Sequence, residues 1–131
     1  MNIRAAAPGD RAALTAMFGR CSDQTRYRRF HGFVHALPER YLADALAGRP
    51  EHIALVAEDN GQIVALSSCA DGEIGILVED LYQRQGIGTR MLNELLERCG
   101  PAVQLATIQH DQAWLVTFLR RYTKIKIDIS S

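Results

Sequence analysis

The run Val78-Glu79-Asp80-Leu81-Tyr82-Gln83-Arg84-Gln85-Gly86-Ile87-Gly88-Thr89 has the residue types and spacing to do chemistry. Gly86 and Gly88 let the backbone come close to a ligand. A helix opening there would point unpaired N–H groups and the positive end of its dipole outward, which suits a phosphate or diphosphate. Arg84 adds a possible ion pair. Other phosphate motifs fit poorly. A Walker A loop needs Gly-Lys-Ser/Thr, and Gly88 is followed by Thr89-Arg90. A G-x-G-x-x-G fingerprint would need glycine where Met91 stands.

Other chemical residues carry weaker signals. His31 and His35 are four apart and could share a helix face, but a third ligand or an HExxH glutamate is missing. His110 is a lesser acid/base candidate. Arg26, Arg28 and Arg29, interleaved with Tyr27 and Phe30, could be read as a nucleic-acid patch. Trp114 reads most simply as a core or groove residue.

The elements around the glycine run are legible in outline. Asn2 to Ala5 suits a short strand. Pro8-Gly9-Asp10 starts a helix with Asp10 as N-cap, and Leu14, Met17 and Phe18 form its buried face. Gly19 to Leu37 gives no clear periodicity. Pro38 at an N1 position, then Tyr41, Leu42, Ala45 and Leu46, predicts a helix ending at Gly48. Ile53–Ala57, Ile63–Cys69 and Glu73–Val78 read as an antiparallel meander, with turns at Asp59-Asn60-Gly61 and Asp71-Gly72. From Gly88, the residues Met91, Leu92, Leu95, Leu96 and Cys99 predict a helix, stopped by Gly100-Pro101. A strand over Val103–Ile108, a helix over Gln112–Tyr122 and a strand over Lys124–Ile129 follow. This order predicts an α/β fold, a mixed, mostly antiparallel sheet layered with helices.

Composition narrows the partners. The 131 residues suit one domain. Lys+Arg and Asp+Glu are both 15, so the basic excess of a phosphate-neutralising nucleic-acid binder is missing. That balance reads the Arg26–Arg29 cluster as a substrate-side loop or solvated face. No apolar run approaches the ~18 residues that span a bilayer, and the first residues lack a secretory h-region. Cys21, Cys69 and Cys99 form no CxxC pair, so free thiols in a cytoplasmic, reducing setting are expected.

Gln83-Arg84-Gln85-Gly86-Ile87-Gly88, preceded by Ile76-Leu77-Val78 and followed by Thr89-Arg90-Met91-Leu92, resembles the Q/R-x-x-G-x-G/A signature of the GNAT acyltransferase superfamily. The resemblance in element order covers nearly the whole chain and implies a single GNAT domain over residues 1–131. It implies acetyl-CoA as acyl donor, with its diphosphate on backbone N–H groups of Gln83, Arg84, Gln85, Gly86, Ile87, Gly88 and Thr89. The pantetheine arm would pair with the backbone of Ile76, Leu77 and Val78. Asp71 to Gln83 also looks like the matching strand of bacterial protein lysine acetyltransferases. Those enzymes carry a glutamate five residues before the valine, as Glu73 stands here. The segment Ser22-Asp23-Gln24-Thr25-Arg26-Tyr27-Arg28-Arg29-Phe30 is similar to their S-x-x-[ST]-x-Y-x-R-F pattern.

These resemblances imply transfer of an acetyl group to a primary amine. The acceptor would be a protein lysine, with a small amine second; a non-catalytic acyl-CoA-binding module is the other class. An ammonium with a pKa near 10.4 is almost wholly protonated at neutral pH, so a base is required. Glu73 is the candidate base, with Glu79 and Asp80 as alternatives that more naturally shape the loop. By alternation Glu73, Gly75 and Leu77 share one strand face, and Gly75 should leave room there for substrate. A backbone N–H near Val78 could stabilise the oxygen charge that builds during attack. Aligning Asp111 with the family's usual asparagine puts Phe118 where many members carry a tyrosine that protonates the leaving thiolate. Tyr122 is a possible substitute. Tyr122-Thr123 replaces a usual Gly-Phe, and one strand follows the last helix where the fold usually has two. The missing strand would be absent, supplied by a neighbour or lost by truncation. An open edge there would favour a homodimer through the C-terminal strand.

Overall fold

Sequence order is also spatial order in a single six-stranded sheet. The computed structural model describes residues 1–99, 103–109, 112–121 and 125–130. The strands are β1 (Asn2–Ala5), β2 (His52–Asp59), β3 (Gln62–Ala70), β4 (Glu73–Val78), β5 (Leu105–Gln109) and β6 (Lys126–Ser130). β1 to β4 pair antiparallel, while β4–β5 and β5–β6 are parallel. The meander turns behave as expected: Asn60 and Gly61 have φ of 51° and 77°, Asp71 and Gly72 of 50° and 83°. Two consecutive positive φ values match the twist of the flanking strands.

Among the described residues five α-helices cover the two faces: α1 (Arg11–Arg20), α2 (Asp23–Phe30), α3 (Glu39–Leu46), α4 (Ile87–Cys99) and α5 (Ala113–Leu119). Strand alternation sorts the core into two layers. Ala54, Val56, Ile63, Leu66 and Leu77 pack against Leu14, Met17 and Phe18 of α1 and Leu42, Ala45 and Leu46 of α3. Leu55, Ala57, Val64 and Ala65 turn the other way, onto Met91, Leu92, Leu95 and Leu96 of α4 and Leu115, Phe118 and Leu119 of α5. Burying each of these large side chains contributes roughly 1.5–3 kcal/mol.

Several expectations need correction. Asp10 precedes α1 but caps it with no side-chain hydrogen bond. Its carboxylate instead accepts from the Ala7 N–H at 2.8 Å and from both terminal nitrogens of Arg4 at 2.8 Å. Pro38 is the N-cap of α3 rather than its first helical residue. The unassigned stretch contains α2, whose start is capped by the Ser22 hydroxyl accepting from the Thr25 N–H at 3.2 Å. His31 ends α2 in a left-handed conformation, φ 56°, so His31 and His35 share no helix face. The expected helix stop at Gly100-Pro101 and the Tyr122-Thr123 departure lie outside the described residues, and the fifth strand, expected over Val103–Ile108, runs over Leu105–Gln109.

One feature of the sheet positions the site. β4 and β5 pair only at Glu73↔Leu105 and Ile74↔Ala106. Beyond that point β5 continues alongside β6 as far as Gln109↔Ser130. The side of β4 facing β5 is therefore bare from Gly75 to Val78 among the described residues.

Candidate active site

The backbone of β4 alternates its hydrogen bonds between neighbours. The Glu79 N–H donates to the Val64 carbonyl at 2.9 Å, which turns the polar groups of Leu77 and Gly75 toward β3. The N–H and C=O of Ile76 and the N–H of Val78 consequently face the parting between β4 and β5. The Val78 carbonyl is already engaged, accepting from Gln83 Nε2 at 2.8 Å.

A hollow of about 480 Å³ follows this bare edge into the glycine loop. Ile76, Val78, Tyr82, Gly86, Gly88 and Trp114 form much of its wall. At its far end α4 begins, and the first helical bond runs from the Arg90 N–H to the Gly86 carbonyl at 3.1 Å. The N–H groups of Ile87, Gly88 and Thr89 therefore have no intrahelical acceptor. Gly86 has φ 84° and Arg84 φ 63°. Arg84, Gln85 and Thr89 are exposed, whereas the Ile87 side chain is buried in the α4 layer. Gln85 Nε2 donates to the Leu81 carbonyl at 3.1 Å.

Another element of the fold comes close at Gly88. A Cβ there would stand 3.0 Å from the Trp114 ring and 3.7 Å from Ile76 Cδ1. Trp114, read as a core or groove residue, is a groove residue, 45% exposed.

A second hollow of about 340 Å³ lies at the other end of β4. Its walls include Arg29, His31, Tyr41, Glu73, Gly75 and Thr107, and it shares Arg28, Ile76 and Gln112 with the first. Glu73 is exposed at its rim, and its Oε2 accepts from the Thr107 hydroxyl at 2.9 Å. The space beside Gly75 is not open as expected: a Cβ built there would collide with the Arg29 guanidinium.

The alternative carboxylates have structural partners. Glu79 is 3% exposed and accepts from Arg20 Nε at 2.7 Å. Asp80 accepts from the Ser22 N–H at 2.8 Å and from the Ser22 and Thr25 hydroxyls at 2.7 and 3.1 Å. Burial works against the Asp80 charge, but these donors hold its carboxyl below the usual carboxylate range. His31 Nδ1 lies 2.7 Å from Gln109 Nε2. Burial first, then the Arg29 charge, push the His31 pKa down.

Phe118 is buried in the core beneath α5 and offers no proton. Asp111, His110 and Tyr122 lie outside the described residues. Thr107, Gln112, Thr25 and Arg29 also line these hollows, and of these only Arg29 belongs to a cluster read from sequence as a substrate-side loop or solvated face. The S-x-x-T-x-Y-x-R-F pattern was the one available signal for two of them. Cys21, Cys69 and Cys99 are free and buried. Among the described residues no helix is long and apolar enough to cross a membrane.

A sheet parted beside a glycine loop, with a carboxylate at the other end of the same strand, defines an acyl-transferase class of site. The chain belongs to the acetyltransferase (GNAT) family, whose pattern it matches over residues 21–121. Acetyl-CoA is the acetyl donor of that family. Solved structures share the fold. The GNAT domain of S. lividans PAT superposes with a TM-score of 0.77 at 16% identity, covering 92% of this chain and 78% of that one. The yncA protein of Salmonella typhimurium, a putative acetyltransferase seen with its cofactor acetyl-CoA, gives 0.73 at 20% identity over 92% and 77%. A GNAT-family acetyltransferase from Streptococcus pneumoniae gives 0.70 at 22% over 92% and 81%.

Proposed function

We propose that this protein moves an acetyl group from acetyl-CoA to a primary amine, with the Glu73 carboxylate as general base. The bare edge of β4, running between the two hollows, carries this reading. The free N–H and C=O of Ile76 suit the amides of a pantetheine arm. The N–H groups of Ile87, Gly88 and Thr89, with Arg84 nearby, suit a diphosphate. The residues present thus fit the donor, and the hollow at Glu73 is left for the acceptor.

Glu73 takes a proton from the acceptor ammonium, directly or through a water. Three residues of strand, roughly 10 Å, separate it from Ile76, so a bridging water suits the span. The amine nitrogen then bonds to the thioester carbon and the C–S bond breaks. The electron pair leaves on sulfur, which takes one of the two protons lost by the ammonium; the other passes through Glu73 to water. The Val78 N–H suits the charge building on the carbonyl oxygen.

A protein lysine is the acceptor that the resemblance implies. The Arg29 guanidinium in the acceptor hollow disfavours any acceptor that brings only an ammonium, and favours the second reading, a small amine, where that molecule also carries an anionic group. Glu73→Gln separates catalysis from binding. Its turnover should fall roughly 10²–10⁴-fold while acetyl-CoA affinity, measured by calorimetry, stays the same. An unchanged turnover would remove Glu73 as base and leave a non-catalytic acyl-CoA-binding module as the better account.

A further inference from the structure

In the hollow at Glu73 the carboxylate and the Arg29 guanidinium do not pair. The carboxylate is drawn to one wall by the Thr107 hydroxyl. Arg29 enters from α2, and its guanidinium lies 4.6 Å from the Phe30 ring centre and 4.9 Å from that of Tyr41. It fills the volume that Gly75 leaves free. Tyr41 is fixed in turn by its hydroxyl, 2.6 Å from the Ser68 hydroxyl, and Ser68 is the register partner of Gly75.

Four residues thus hold one guanidinium in place. Two aromatic faces stabilise its charge but engage none of its five N–H donors. Among the described residues no carboxylate lies within 4 Å of it. The neighbouring His31 adds no anion. A planar fork held in position without a partner, facing a hollow, is matched by a carboxylate.

We propose that Arg29 is the anion-reading half of the acceptor subsite, so that the acceptor is a small amine that also carries a carboxylate. Its amine would stand at Glu73 and its acid group on the Arg29 guanidinium. A hollow of about 340 Å³ is the size for such a molecule. This assignment rests on the acetyltransferase reading above and deepens it. It also gives Gly75 a reason: any side chain there would evict the guanidinium.

The test compares α-amino acids with their matched carboxamides as acceptors, alongside a lysine-containing peptide, by following thiol release from acetyl-CoA. Binding of the same amino acids to the CoA-loaded protein is measured by calorimetry. At least one amino acid should exceed its carboxamide about 10- to 100-fold in kcat/KM, the range expected for a hydrogen bond to a charged group. Arg29→Gln should bring that ratio close to one without changing acetyl-CoA affinity. Gly75→Ala, whose methyl displaces only the end of a flexible side chain, should do the same and guards against a folding defect in the first variant.

Carboxamides used as well as the acids, an unchanged ratio in both variants, or turnover confined to the peptide would each overturn the subsite. So would the failure of every amino acid both to bind and to react. None of these results touches acetyl-CoA binding or the Glu73→Gln comparison. Failure of the protein to bind acetyl-CoA would instead remove the acetyltransferase reading, and the subsite with it.

Discussion

Gln83 fastens the glycine loop to the sheet by donating from Nε2 to the Val78 carbonyl at 2.8 Å and to the Thr25 hydroxyl at 3.0 Å. Thr25 then donates to Asp80, which also receives the Ser22 N–H and hydroxyl. One side chain therefore couples the end of β4, the start of α2 and the turn before the loop. The conventional glutamine of the loop signature acts here through its neighbours rather than as an exposed ligand.

Gln83→Leu should accordingly loosen the loop. It leaves the Val78 carbonyl without its donor, at a cost of about 1–3 kcal/mol. Acetyl-CoA should bind roughly tenfold more weakly and the melting temperature should fall. Calorimetry and a thermal melt check both effects. Unchanged affinity with a lowered melting temperature would make Gln83 a purely structural tie.

The parts of the fold read correctly from sequence were those with local causes. Asn60-Gly61 and Asp71-Gly72 announce tight turns because few other pairs accept two positive φ values. Met91, Leu92, Leu95, Leu96 and Cys99 announce α4 because their spacing is helical. α2 gave no such sign. Asp23-Gln24-Thr25-Arg26-Tyr27-Arg28-Arg29-Phe30 carries only Tyr27 and Phe30 as large apolar side chains, and much of what holds it is distant: Asp80, Gln83, Gly75 and Tyr41. The same distance hid the site's second charge. Gly75 reads as empty space from its own strand, and only the packing of α2 across the sheet shows the guanidinium that fills it. The Arg20–Glu79 pair is hidden likewise, since nothing near Glu79 in sequence implies burial of a carboxylate.

That pair predicts an asymmetric mutational response. Arg20 donates to Glu79 from Nε and to the Ile63 carbonyl from Nη2 at 3.0 Å. Removing Arg20 leaves the buried carboxylate unpaired, so Arg20→Ala should cost about 2–4 kcal/mol, somewhat less than a fully buried pair because Arg20 is partly exposed. Arg20→Met with Glu79→Gln should recover most of that loss. Chemical denaturation of the single and double variants measures it, and additive losses would deny the coupling.

Acid should destabilise the fold before its carboxylates titrate. Burial lowers the pKa of His31 and His52 below the ordinary 6.5, helped at His31 by the Arg29 charge and opposed at His52 by Asp44 and Asp71. The folded protein keeps both rings neutral, while the unfolded chain protonates them as pH falls through 6.5. Their contribution to stability is therefore full above that value and is lost as pH drops toward the folded pKa. Melting temperature should decline on acidification from pH 7, and His52→Asn should flatten the decline. Among the described residues His52 Nε2 is buried without a hydrogen-bond partner. An identical slope in the variant would place the acid sensitivity elsewhere.

Trp114 supplies an optical readout of the loop because it is the only tryptophan in the chain. Its ring lines the loop hollow and rests against Gly88. Acetyl-CoA should change its fluorescence with the same dissociation constant that calorimetry gives. The two glycines should then fail differently. Gly88→Ala sets a methyl 3.0 Å from the indole, so it should shift the emission of the free protein. Gly86→Val meets no atom within 4 Å but must adopt a φ of 84°, a strain of about 1–2 kcal/mol for an L-residue. Its free-protein emission should stay normal while acetyl-CoA affinity falls about tenfold, because the N–H groups of Ile87, Gly88 and Thr89 lose their common aim. Full affinity in Gly86→Val would show that the diphosphate is held somewhere other than this bend.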